Sequence, residues 1–161
     1  MVRFLKIAIP SFLLGAIAGA AFWYLASPLW IDRVVNEELA QGDQVMTLAQ
    51  GQFRDADAAH KGKGTARIVT LPGGGVEVQL SDFSVTNGPD LELWLSAHPD
   101  PAKSSDVTGA EWLSLGLLRG NVGDQSYRIP AGTDLSKYKS VVVWCEQFGV
   151  LFSPASLGAG G

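Results

Sequence analysis

Thr65-Ala66-Arg67-Ile68-Val69-Thr70-Leu71-Pro72-Gly73-Gly74-Gly75-Val76-Glu77-Val78-Gln79-Leu80-Ser81-Asp82-Phe83 decides the fold. Two apolar, β-branched runs flank Pro72-Gly73-Gly74-Gly75, whose glycines supply the positive φ of a tight reversal without steric cost. In the second run Val76, Val78 and Leu80 alternate with Glu77, Gln79 and Ser81, so a period of two gives the strand one apolar and one wet face. The stretch predicts a β-hairpin packed on one side.

The same signature repeats outward from this hairpin. Asn87-Gly88-Pro89-Asp90 is a turn signal, after which Leu91, Leu93 and Leu95 alternate with Glu92, Trp94 and Ser96. Trp112 to Leu118 and Gln125 to Ile129 read as further short strands. His98 to Ala110, with two prolines and paired serines, reads as a surface loop, and Asp134 to Lys139 as one helical turn. Ser140 to Cys145 is almost continuously apolar, which predicts a central strand covered on both faces, with Phe148 to Phe152 paired beside it. Short strands with regular turn signals and no βαβ alternation predict an all-β domain, a β-sandwich or a jelly-roll-like barrel, over residues 51–157. The small-residue tail, 158–161, is expected to fray.

Upstream the pattern changes. Ile7 to Ala26 carries no charge, and about 20 apolar residues suffice to cross roughly 30 Å of hydrocarbon as a helix. Arg3 and Lys6 precede this run and Asp32 is the first charge after it, so the positive-inside rule predicts a single-pass cell-membrane anchor with a cytoplasmic N-terminus and an extracytoplasmic C-terminal domain. Trp23, Tyr24 and Trp30 fall where the far interface would lie. Ala18-Gly19-Ala20 is a run that signal peptidase accepts, but the apolar core exceeds the usual ~7 to 15 residues of a signal peptide. Residues 1–28 are therefore read as cytoplasmic tip and anchor. Residues 29–50, with Ile31, Val34, Val35 and Leu39 at loosely helical spacing, are read as a partly helical stalk.

Composition narrows the classes further. A hydrophobic fraction of 47% against 17% charged residues specifies a packed core rather than a disordered chain. Taking Arg3 and Lys6 from the 12 basic residues leaves ten against 16 acidic ones beyond the anchor, a formal charge of −6. Such a body repels phosphate backbones and has no basic stripe, so nucleic acid is excluded as a partner.

Chemistry rests on few residues. The single cysteine, Cys145, rules out an internal disulfide and leaves three readings: a small buried hydrophobe closing a valine-rich strand, an intermolecular bridge, or a redox thiol reached from a loop. Strand alternation puts it on the face of Val141 and Val143, opposite Trp144 and Glu146. His60 and His98 show no metal-site spacing; haem or copper ligation by His60 and Cys145 requires the fold to bring them together. Asp90 reads as a turn cap able to orient a neighbour. No serine–histidine pair, phosphate-binding glycine loop or zinc cluster appears, and no cofactor is demanded.

The order of several short motifs resembles the electron-transfer DM-thirteen domain family, which occurs alone in bacteria and beside DOMON modules in animal cell-surface proteins. The motifs are Gly51-Gln52-Phe53 with His60 and Gly64, Ser81-Asp82-Phe83, Gly88-Pro89-Asp90-Leu91, Leu93-Trp94-Leu95-Ser96, Leu118-Arg119-Gly120, Gly123-Asp124-Gln125-Ser126-Tyr127, Ile129-Pro130 and Val141-Val142-Val143-Trp144-Cys145-Glu146-Gln147-Phe148. The anchored start, with Ser27-Pro28-Leu29-Trp30-Ile31-Asp32, is similar to that of bacterial members. The resemblance implies an all-β domain whose cysteine, here Cys145, takes part in redox or electron-transfer chemistry with a partner protein. Asp90, Trp94 and Trp144 are the expected neighbours of such a site. Glu146 stands where many relatives carry a basic residue, which removes a cation that would favour a thiolate. Two functions follow: a membrane-anchored extracytoplasmic redox or electron-transfer module using Cys145, or a non-catalytic binding module using the His98 to Ala110 loop or a face with Trp94, its cysteine purely structural.

Overall fold

The computed structural model describes residues 2–27 and 31–160, which fall into two units on either side of the Ile31–Asp32 bond. In the first, α1 spans Val2–Ala26 and carries Pro10 inside it. Lys6–Tyr24 has a mean hydropathy of 1.7 and is long and apolar enough to cross a membrane. Its Phe12, Leu14, Ile17 and Phe22 all project outward, exposed. Trp30, expected with Trp23 and Tyr24 at an interface, lies outside the described residues.

The second unit is a sandwich of two antiparallel sheets. Its strands are β1 (Met46–Gln52), β2 (Gly62–Thr70), β3 (Val76–Val85), β4 (Leu91–Ser96), β5 (Trp112–Leu117), β6 (Gln125–Arg128), β7 (Ser140–Cys145), β8 (Val150–Ser156) and β9 (Gly158–Ala159). One sheet runs β6-β3-β2-β1-β9 and the other β5-β4-β7-β8. The expected hairpin is β2–β3, closed from Thr70 to Val76 by a turn in which Leu71 N donates to Gly75 O at 2.7 Å and Gly73 and Gly74 take φ of +92° and +89°. The inner faces meet in one core containing Ala66, Ile68, Val78, Leu80 and Phe83 from the first sheet and Leu91, Leu93, Leu95, Val141, Val143 and Cys145 from the second. β7 lies between β4 and β8 with all six residues buried, as its unbroken apolar run predicts.

Three segments differ from their sequence reading. The stretch 29–50, expected to be partly helical, has no helix among its described residues. Val35, Glu37 and Leu39 turn inward in alternation and Leu39 is buried, so a period of two prevails over the looser helical spacing. This extended strap is held by Val35 N to Val122 O and Glu37 N to Asp124 O, both at 2.9 Å, and the stretch ends inside β1. The tail expected to fray contributes Gly158–Ala159, paired with Gln50 and Ala49. The loop after β4 holds a short helix, α2 (Ser104–Thr108), whose Val107 is buried against the outer face of the second sheet.

Candidate functional site

Cys145 ends β7, paired with Leu91 of β4 on one side and Val150 of β8 on the other. Alternation turns its side chain to the inner face beside Val141 and Val143, where it has no solvent exposure. Its Sγ–H donates to Pro89 O at 3.0 Å. Two turns close over the strand end. Glu146 N donates to Asp90 O at 3.0 Å and Gly149 N to Cys145 O at 2.9 Å. The Phe152 ring packs so tightly on Gly88 that a Cβ there would approach it to 2.6 Å. Burial pushes the thiol pKa above its ordinary value, and the nearby charges of Asp90 and Glu146 act in the same direction. The backbone amides of Phe148 and Gln147 oppose this only in part.

The expected neighbours separate. Asp90 stays beside Cys145, in the left-handed region at φ +54°. Trp94 and Trp144 belong to the opposite face of the same sheet, in a second cluster with Val107, Val142 and Leu151. His60 is engaged elsewhere: its Nδ1 lies 2.7 Å from Asp57 Oδ2 and its ring rests 4.3 Å from that of Phe152. The His60 side chain, the His60 amide and the Ala59 amide hold the Asp57 pKa down to about 2. The structure thus gives His60 partners other than Cys145. Among the described residues, no group of three or more His, Cys, Asp and Glu side chains is placed to hold a metal.

Sequence reasoning missed the tryptophan stack. Trp112, on edge strand β5, stacks on Trp94 with centroids 4.0 Å apart and planes 13° apart; Trp94 in turn stacks on Trp144 at 5.1 Å and 29°. Trp112 is 45% exposed, whereas Trp94 and Trp144 are buried. Trp94 Nε1–H donates to Glu92 Oε2 at 2.7 Å, and Ser114 Oγ donates to the same oxygen at 2.6 Å. Period-two alternation alone put Glu92 and Trp94 on one face. The β4–β5 register, which sets Trp112 opposite Ser96 and Ser114 opposite Trp94, comes only from the fold.

A thiol placed in this way is poorly suited to exchange. Attack on a disulfide needs a thiolate in direct contact with its target, and burial withholds both the charge and the contact. One-electron exchange has no such contact requirement. The model of the family described as Electron transfer DM13 matches residues 52–157, most of the sandwich and all of the Cys145 region. Searches of curated proteins and of solved structures find no match. With two thirds of its length under that match, running from the end of β1 through the strand that carries Cys145 to the end of β8, the chain belongs to the Electron transfer DM13 family.

Proposed function

We propose that this chain is a membrane-anchored, extracytoplasmic electron-transfer module in which Cys145 takes part in one-electron rather than thiol–disulfide chemistry, exchanging electrons with a redox partner protein. The observation that carries the reading is the family match across the sandwich. The geometry counts against the thiol reached from a loop, because the sulfur is sealed, donates to Pro89 O and has a raised pKa, so only electron exchange without direct contact at the sulfur remains for Cys145. The apolar helix supplies the anchor, and Arg3 and Lys6 ahead of it favour the orientation.

Cys145→Ala in the full-length chain, held in detergent, tests the cysteine's role. The variant should lose electron exchange with a soluble one-electron mediator in voltammetry while keeping its near-ultraviolet circular dichroism. Unchanged voltammetry in a folded variant would assign Cys145 to packing.

A further inference from the structure

We infer that Trp112, Trp94 and Trp144 form a one-electron relay through the outer face of the second sheet, with Glu92 as its proton acceptor and Trp112 as its terminal at the surface. The inference rests on the electron-transfer reading, and it gives that reading a route and a docking end.

Three features set this stack apart from ordinary aromatic packing. The rings run in series, at 4.0 and 5.1 Å, from an exposed indole to two buried ones. The buried end, Trp144, is bonded in the chain to Cys145. The central indole gives its only hydrogen-bond donor to a carboxylate rather than to a neutral carbonyl. That carboxylate is fixed in turn by Ser114, whose Oγ also accepts from Gly116 N at 3.1 Å. Any buried indole N–H calls for an acceptor, which a neutral carbonyl can supply, but an oxidised indole calls for a basic one, because its N–H becomes strongly acidic.

The step balances as follows. A high-potential, metal-centred one-electron oxidant docked at Trp112 is reduced by one electron taken from that ring. Trp94 passes an electron to Trp112 and restores it. The Trp94 Nε1–H bond then breaks, its proton passes along the 2.7 Å hydrogen bond and forms an O–H bond at Glu92 Oε2, and a neutral indolyl radical remains. No other bond forms or breaks. An electron returning from a one-electron reductant, together with the proton held by Glu92, regenerates the resting state. Trp144 extends the stack towards the strand end that carries Cys145.

The probe is tris(bipyridine)ruthenium(III), generated by flash and quench beside the full-length chain in detergent, with Trp23 and Trp30 changed to Phe throughout to remove the other indoles. Transient absorption should show a neutral indolyl radical. Trp112→Phe should slow its appearance severalfold, because the oxidant must then take the electron from buried Trp94 over a longer distance. Glu92→Gln should replace the neutral radical by the protonated radical cation, with the hydrogen–deuterium solvent isotope effect on deprotonation changed. Neutral-radical kinetics unaltered in a folded Glu92→Gln variant would overturn the relay, since a radical confined to exposed Trp112 loses its proton to water regardless of Glu92. If Cys145→Ala abolishes mediated exchange while Glu92→Gln leaves the transient untouched, the relay fails and the electron-transfer reading stands. The converse result keeps the relay and removes the cysteine.

Discussion

At the scale of single residues, Cys145 shows how position outweighs chemical type. A thiol in water near its ordinary pKa of 9.0 is a ready nucleophile, but this one has no exposure and a pKa raised by burial and by the acidic charges of Asp90 and Glu146. Alkylation of the native chain by iodoacetamide should be much slower than alkylation of the denatured chain. The same shift has a thermodynamic sign. A thiol whose folded pKa lies above its unfolded value binds its proton more tightly when folded, so its contribution is fully present below the unfolded pKa and is lost as pH rises through the folded one. The unfolding midpoint should therefore fall as pH enters the alkaline range, and Cys145→Ala should flatten that fall. A midpoint with the same alkaline slope in both proteins would show that the thiol is not the titrating group. The sequence made Cys145 legible as a strand-end residue on the Val141 and Val143 face. It left open whether solvent reaches the sulfur, because that depends on the turns at residues 87–90 and 146–149, which come together only in the folded sandwich.

At the scale of elements, the strap at residues 32–41 departs furthest from its sequence reading. Its hold on the sandwich is long-range. Asp32 accepts from Asn87 and Asn121 at 2.8 Å each, and Glu37 accepts from Ser126 N and Oγ at 3.0 and 3.1 Å and pairs with Arg119. Gly123 makes room for the strap: it sits at φ +101°, where a Cβ would press into Val35 O. None of these partners lies near the strap in the sequence, and for this reason Val34, Val35 and Leu39 suggested a helix. The central strands, by contrast, carry their own evidence in alternation and in unbroken apolar runs. Partial burial works to raise the Glu37 pKa, but the Arg119 hydrogen bond, the Ser126 amide and hydroxyl, and the Arg119 charge together leave it below its ordinary 4.5. Stability from Glu37 is thus present above the ordinary carboxylate range and lost as pH falls towards its lowered folded value. Glu37→Ala should cost roughly 1.5 kcal/mol near neutral pH, the lower end for hydrogen bonds to a charged group because Arg119 is half exposed. Chemical denaturation followed by tryptophan fluorescence measures this, and the difference between the two proteins should shrink in acid.

At the scale of the whole molecule, the proposed function puts the sandwich outside the cytoplasm, and the basic residues flanking the apolar helix, rather than the net charge of the domain, are what bear on that orientation. Orientation then rests on two side chains, Arg3 and Lys6, because no other basic residue precedes Arg33. A cytoplasmic N-terminus keeps these cations on the side where they are retained. Replacing both by Glu removes the bias without touching the apolar run of Lys6–Tyr24 beyond its first residue. The test is alkaline phosphatase fused after Gly161, an enzyme that matures only in an oxidising, extracytoplasmic compartment. The unmodified chain should carry active phosphatase in the membrane fraction. The Arg3→Glu/Lys6→Glu variant should lose much of that activity at equal expression, as a larger share of chains keeps the sandwich inside. Active phosphatase recovered in the soluble extracytoplasmic fraction would mean that the helix is cleaved, and inactive phosphatase on the unmodified chain would reverse the orientation. Either result would remove the membrane-held arrangement while leaving the fold and the family in place.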